Sequence, residues 1–294
     1  MEQPRHVTFL SDFGTESGYS AVCELVISRL APAAKVLHLS HAIPAGDVPS
    51  GAWLLRRLLP WGPAAIHLAV VDPGVGTKRR ALCLSCGRGD QLIGPDNGLL
   101  MPAGDLLGGV TAAWLLAEKR VAALAGMRGE PSHTFHGRDI FAPTAALLAQ
   151  GEPPDALGDP LDPSTLVRLN DEGSSTEPGR VRSQVSEVDV FGNVQLAIDW
   201  SRALEHLDMR TVTVRTSRGD RRARLAGTYA ELEPGQLGIL EDSWGCVALV
   251  MRRRRTSDEL QVALHDRVEL ISRPRREDTA SVPPESRHGS RDAG

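Results

Sequence analysis

Residues 66–71, Ile-His-Leu-Ala-Val-Val, form a nearly unbroken apolar run that ends on Asp72 and a Pro73-Gly74 turn. Such a run reads as a strand buried on both faces, and the proline and glycine end its hydrogen-bond ladder. The chain therefore carries a carboxylate at the end of a buried strand. Gly76 and the basic trio Lys78, Arg79 and Arg80 follow, with Arg79 seven positions beyond the acid and placed to pair with it. In isolation, Asp-Pro-Gly more often caps a turn beside a solvated arginine, so the motif gains chemical meaning only from its companions. One companion comes early. Residues 6–10 form a short β-type run that stops at Ser11-Asp12-Phe13-Gly14-Thr15 and delivers Asp12 in the same manner.

Between these acids the pattern alternates. From Ser17 it turns helical, with Val22, Leu25, Val26 and Leu30 on one face and Pro32 ending it. Residues 36–39 suit a strand, and residues 48–59 carry Ala52, Leu55 and Leu59 at helical spacing before Pro60. Strand-helix alternation predicts an α/β fold with a mainly parallel sheet covered by helices on both faces. Sheets of this type bind ligands at the carboxyl edge of their strands, which Asp12 and Asp72 would share. Residues 80–86 and 91–93 read as further strands, the second leading into the turn signals Gly94-Pro95-Asp96-Asn97-Gly98. Residues 108–126 suit either helix or strand. His136-Gly137 precedes a helix beginning near Arg138 or Asp139, with Asp139 as its cap, and His136 alone reads as a loop histidine.

From residue 151 to 178 the composition shifts to Pro, Gly, Asp, Glu and Ser, the pattern of a linker. Short β-rich runs follow at 181–190, 194–198, 211–216, 237–240, 246–251 and 267–271, interrupted by a helix at 200–207. These predict a smaller all-β domain, barrel or sandwich. The expected layout is an α/β domain at 1–165, a β-domain at 179–273 and a polar, disordered tail at 274–294. The four-arginine run 252–255 reads as a solvated strand end. A net charge of −4 gives no electrostatic footprint for nucleic acid. No signal-peptide pattern or membrane-length apolar run is present, and four scattered cysteines point to a reduced cytoplasmic protein. Cys83 and Cys86 fall on opposite faces of one strand and complete no zinc site, so no metal is expected.

The set FLSDFGT, VVDPGVGTKRR, GPDNGLL, FHGRDIFAP and VFGNVQL, in this order and with these gaps, resembles the S-adenosyl-L-methionine hydroxide adenosyltransferases and their relatives, the adenosyl-fluoride and adenosyl-chloride synthases. The match runs from residue 1 to about 272. The resemblance implies an α/β domain followed by a β-barrel, and a homotrimer whose substrate lies where one subunit's first domain meets its neighbour's second. It implies Asp72, Arg79 and His136 as the catalytic set. It also puts Asp12 on the ribose hydroxyls, Asp189 and Asn193 near the methionine and adenosine groups, Tyr229 beside the adenine, and Ser243 with Met251 along the pocket. No cofactor is implied beyond S-adenosyl-L-methionine as substrate, with adenosine and L-methionine as products.

The same comparison separates the branches. Halide-using relatives carry Tyr at the position of Asp72 and Tyr-Ser at His136-Gly137, and they insert a long loop between the positions of Cys86 and Gly94. All three differences favour water as nucleophile, hence hydrolysis by in-line attack on the ribose 5′ carbon, with Asp72 orienting water more than acting as a strong base. One departure stands out: Ala248 and Arg252 replace the usual Glu and Asn of the barrel motif. The alternatives are a non-catalytic nucleoside-binding module, to which that departure lends weight, and a halide-using synthase.

Overall fold

The computed structural model describes residues 6–127, 129–169 and 174–272, which divide at about residue 172 into two compact units. The first holds strands β1 (Val7–Ser11), β2 (Val36–Ser40), β3 (Ile66–Val70), β4 (Ala81–Cys86), β5 (Gln91–Pro95), β6 (Val110–Leu116) and β7 (Gly158–Leu161). They form one sheet in the order β2-β1-β3-β5-β4-β6-β7. β2, β1, β3 and β5 run parallel, whereas β4 is antiparallel to β5 and β6, and β7 to β6. The sheet is therefore mainly parallel, as the alternation predicts, with a mixed half at one side.

Helices α1 (Tyr19–Leu30), α2 (Val48–Leu58), α3 (Met101–Leu106), α4 (Glu118–Leu124) and α5 (Ala142–Ala149) cover it. Because successive strand side chains point to opposite faces, two cores arise. Val7, Phe9, Leu68, Val70 and Cys83 pack with α1 and α5, while Leu10, Ala69, Val71, Leu84 and Cys86 pack with α2 and α3. The two strand cysteines thus sit in different cores, both as buried free thiols. The face of α1 differs from expectation. Cys23 and Ile27 are its buried centre, flanked by Val26 and Leu30, whereas Leu25 is 67% exposed. An i, i+4 pair that includes a small cysteine outweighs the larger leucine because it faces the sheet.

A buried polar network ties β1 and β3 to the turn before β5. Thr8 Oγ1 lies 2.8 Å from His67 Nδ1, His67 Nε2 lies 2.8 Å from Asp90 Oδ1, and Arg88 donates to both Asp90 oxygens at 2.8 Å. Burial would raise the Asp90 carboxyl, but hydrogen bonds from Arg88, His67 and the Ala65 amide outweigh it and hold the group below the usual carboxylate range. This depressed value adds stability that is complete above the unfolded carboxylate's pKa of about 4 and is lost progressively as pH falls from there through the folded value. Asp90→Asn, which leaves Arg88 without its counter-charge, is expected to cost about 3 kcal/mol at pH 7. Urea denaturation at pH 7 and pH 3 measures it, with a smaller difference at the lower pH.

The second unit holds β8 (Ser175–Glu177), β9 (Arg180–Val188), β10 (Val194–Asp199), β11 (Val212–Thr216), β12 (Gly219–Leu225), β13 (Leu237–Glu241), β14 (Cys246–Met251) and β15 (Arg267–Ile271). Their order is β10-β14-β13-β12-β11-β15-β9-β8, and β10 also pairs with β9. That pairing closes seven strands into a barrel, with β8 added outside the ring. The expected helix is present at Trp200–His206.

Three expectations change. Residues 151–178 are not simply a linker, since they supply a helical turn (Pro154–Leu157) and β7, which pairs along β6. The ambiguous stretch 108–126 resolves into β6 and α4. β12 has no apolar pattern to betray it, because Gly-Asp-Arg-Arg-Ala-Arg-Leu buries only Ala223 and is held by backbone pairing. The expected tail, 274–294, lies outside the described residues.

Candidate active site

The loops after β1, β3 and β5 are stitched together at the carboxyl edge. The Asp12 amide donates to Val70 O at 3.3 Å, Asn97 Nδ2 donates to Val71 O at 2.8 Å, and Arg80 Nε donates to Asp96 at 2.6 Å. Asp12 and Asp72 therefore share one edge. Asp12 also has a structural duty that sequence alone did not reveal, since its Oδ2 accepts the Gly46 amide at 2.8 Å.

Asp72 and Arg79 meet in a fork. Arg79 Nε donates to Oδ1 at 3.1 Å and Nη2 to Oδ2 at 2.6 Å, with side chains only 5% and 7% exposed. The same Nη2 lies 3.1 Å from His136 Nδ1, and Nη1 donates to Arg80 O at 3.1 Å. The guanidinium also lies over the Phe141 ring, 5.3 Å from its centroid. Arginine can only donate, so His136 Nδ1 must accept, which assigns the neutral imidazole with its proton on Nε2. Burial first, and the Arg79 charge second, push the His136 pKa below 6.5. The three residues named from the motifs thus form one hydrogen-bonded group, a carboxylate fixed by a guanidinium that also fixes an imidazole.

Local backbone makes the meeting possible. Gly76 has φ +75°, and a Cβ there would fall 2.3 Å from His133 O, so only glycine lets the Asp72 loop lie against the segment that carries His136. After His136 the chain forms a π-turn, Gly137–Phe141, that continues into α5. Such turns are frequent at functional sites, where they shift side chains out of helical register. Asp139 is consequently not a cap. It lies inside the turn, accepts the Ser132 amide at 2.8 Å and pairs with Arg138, bracing the segment before His136. A Cβ on Gly137 would come within 2.9 Å of Phe13 and 3.2 Å of Phe135, so a serine here requires those rings to shift.

The barrel has its own cleft, of about 580 Å³. Asp189, Asn193, Tyr229 and Met251 converge on it, as do the exposed Phe191 and residues Arg253, Arg254 and Arg255. Asp189 accepts the Asn193 amide and side chain at 2.8 Å each, and Asn193 Nδ2 lies 3.3 Å from Tyr229 Oη. Ser243 is the exception: it is exposed on the turn between β13 and β14 and does not line the cleft. The arginine run, expected as a solvated strand end, instead contributes three cations to the rim. Ala248 and Arg252, the departures from the family motif, lie elsewhere. Ala248 packs with Ala226, Leu232, Leu240 and Val250, and Arg252 donates to Leu232 O at 3.2 Å.

Fold and site together define an α/β enzyme with an appended barrel and a buried acid-guanidinium-imidazole group at its sheet edge, a set suited to holding a small nucleophile. Residues 7–158 match the SAM hydroxide adenosyltransferase N-terminal domain and residues 183–269 the corresponding C-terminal domain. The chain belongs to the SAM hydroxide adenosyltransferase family. It is 43% identical to an (R)-S-adenosyl-L-methionine hydrolase of Salinispora tropica over 90% of this chain and 97% of that protein. The corresponding figures for the hydrolase of Thermus thermophilus are 38%, 87% and 95%. A fluorinase of Actinoplanes is 27% identical over 64% of this chain and 70% of its own. A solved structure of an uncharacterised conserved protein from Thermotoga maritima superposes with a TM-score of 0.81 at 31% identity, covering 90% of this chain and 99% of that one.

Proposed function

We propose that the protein hydrolyses S-adenosyl-L-methionine to adenosine and L-methionine, water attacking the ribose 5′ carbon in line with the departing sulfur. The observation that carries this reading is the Asp72-Arg79-His136 group, together with family membership and the hydrolases this chain resembles. The sulfonium leaves as a neutral thioether, so leaving-group activation is not the difficulty. Acceleration comes from holding and desolvating water, a poor nucleophile at neutral pH. Asp72 accepts a hydrogen bond from that water while Arg79 fixes the carboxylate through both oxygens, which suits orientation better than strong base catalysis. His136 offers Nε2–H. Asp12 would accept ribose hydroxyls, and the barrel residues Asp189, Asn193, Tyr229 and Met251, with Ser243 less directly, would receive the rest of the substrate. A homotrimer with shared sites and a cytoplasmic location belong to the same proposal. S-adenosyl-L-methionine is its only small-molecule requirement, with no separate cofactor. Among the described residues no cluster suits a metal ion, and no helix is long and apolar enough to cross a membrane.

The test is incubation of purified protein with S-adenosyl-L-methionine in oxygen-18 water. Adenosine labelled at its 5′ hydroxyl is expected; ligand recovered unchanged would identify a binding module. The family-motif departures no longer favour that rival, because Ala248 and Arg252 lie outside the barrel cleft.

A pH profile probes His136. Protonation would place an Nδ1–H against the Arg79 donor, so kcat/KM is expected to hold from pH 8 to 7 and fall along an acid limb lying below 6.5. His136→Ala removes a charge-assisted hydrogen bond worth about 1.5–3 kcal/mol, or roughly 10- to 100-fold in turnover, and should abolish that limb. Unchanged turnover with weakened binding would move His136 from the reaction step to substrate affinity.

A further inference from the structure

The first unit contains a second opening that the hydrolytic reading does not use. A cleft of about 560 Å³ lies between α4 and the segment leading to His136. Its walls include Thr77 of the Asp72 loop, Glu118, Lys119 and Ala122 of α4, His133, and His136 itself. Gly76, which brings the Asp72 loop against His133, also lines it. The cleft is thus bounded by two members of the catalytic neighbourhood, the loop that carries Asp72 and the imidazole bound to Arg79. A water's share of liquid volume is about 30 Å³, so the space far exceeds what the hydrolytic nucleophile needs.

Position gives the cleft its meaning. In an in-line displacement the nucleophile and leaving group occupy opposite sides of the reacting carbon. Methionine departs on one side, and Asp72, Arg79 and His136 hold the nucleophile on the other. Of the three, His136 lines the cleft, so on the proposed reaction the cleft meets the nucleophile's side of the reacting carbon through the imidazole. The lining selects the chemistry admitted. Glu118 and Glu130 bring negative charge and Lys119 positive, while Thr77 and the histidines offer hydrogen bonds. A small neutral molecule with hydroxyl groups meets partners throughout, whereas an anion meets the two glutamates.

Resting on the proposed reaction, we infer that this cleft is an acceptor subsite, through which small neutral alcohols compete with water and receive the adenosyl group. The step balances as hydrolysis does. The alcohol oxygen forms the new bond to the 5′ carbon as the carbon-sulfur bond breaks, and the electron pair goes to sulfur, giving neutral L-methionine. The hydroxyl proton passes to Asp72 and then to solvent. The products are a 5′-O-alkyl adenosine, L-methionine and a proton, with no oxidant or further reactant.

Ethylene glycol is the probe, because one hydroxyl can take the place of water while the other bonds to the cleft wall. With the full-length protein and molar ethylene glycol, chromatography with mass detection should find 5′-O-(2-hydroxyethyl)adenosine beside adenosine. Two substitutions fill the cleft from α4: Ala122→Phe, at a half-buried position, and Ala123→Leu, at an exposed one where folding is less at risk. Each should lower the ratio of ether to adenosine roughly tenfold, since a lost subsite discriminates against the larger nucleophile while water still fits. Because the ratio is taken within one protein, a general loss of activity does not move it. Wild-type protein that forms adenosine but no ether overturns the subsite, and so does an ether ratio unchanged in both filled variants. Absence of adenosine as well as ether from the wild type would instead overturn hydrolysis, and this inference with it.

Discussion

Asp72→Asn is expected to bind S-adenosyl-L-methionine within a few-fold of the wild type while turning it over about 10²–10⁴ times more slowly. The substitution keeps the shape of the side chain but replaces one acceptor oxygen by an NH₂ group. Arg79 donates to both Asp72 oxygens, so one of its two bonds becomes donor against donor whichever way the amide is turned. The attacking water loses its acceptor, and the imidazole, held by the same Nη2, loses part of its alignment. On the proposed reaction Asp72 acts mainly on the nucleophile, so affinity is expected to change less than turnover. Stability falls too. A guanidinium 7% exposed and deprived of its counter-ion destabilises by about 3–5 kcal/mol, so rates must be compared below the variant's own melting transition. Single-turnover rates beside binding calorimetry separate the effects. Retention of more than a tenth of wild-type turnover would show that the carboxylate is not the partner of water.

That Asp72, Arg79 and His136 belong together was legible only from a resemblance spanning several motifs. Each alone had an ordinary reading: a turn cap, a solvated cation and a loop histidine. What joins them is tertiary, since Arg79 and His136 are far apart in the chain and meet because Gly76 lets one loop lie on another. The strand ends were more accessible to sequence reasoning, because a buried parallel strand announces itself as an apolar run and its turn residues mark where it stops. The pattern therefore places Asp12 and Asp72 at one edge without any knowledge of their contacts. The bond from the Gly46 amide to Asp12 was not foreseeable, because it depends on how the loop before α2 folds back. Asp139 misled for a physical reason: an acid near a helix start usually caps it, but the π-turn at Gly137–Phe141 begins the helical path earlier and takes Asp139 inside. The arginines of the barrel cleft misled similarly. A run of charge carries no information about what it faces, and only the turn after β14 brings three of them beside Tyr229 and Asn193.

In molar chloride the protein is expected to go on making adenosine, with 5′-chloro product no more than a small fraction. Chloride entering the nucleophile's place would be stripped of its hydration and would need several donors in return. Arg79, the obvious source, is largely committed. Its Nε serves Asp72, Nη2 serves Asp72 and His136, and one Nη1 hydrogen serves Arg80 O, so four of its five donors are engaged. The anion would also face the Asp72 carboxylate. Two like charges about 4 Å apart repel by roughly 4 kcal/mol at an effective dielectric near 20. Pairing with Arg79 offsets part of this, yet a surviving half, about 2 kcal/mol, still lowers chloride occupancy some 30-fold. Water has no such handicap, because it can donate one hydrogen bond to Asp72 and present a lone pair to the carbon, a geometry closed to a monatomic anion. The expectation can be read in a single reaction in oxygen-18 water with chloride present, the nucleoside products being weighed by mass spectrometry. Label in the 5′ hydroxyl with little chlorinated nucleoside supports Asp72 as the group that both aims water and excludes halide. Mainly chlorinated product would mean that the carboxylate does not face the reacting carbon.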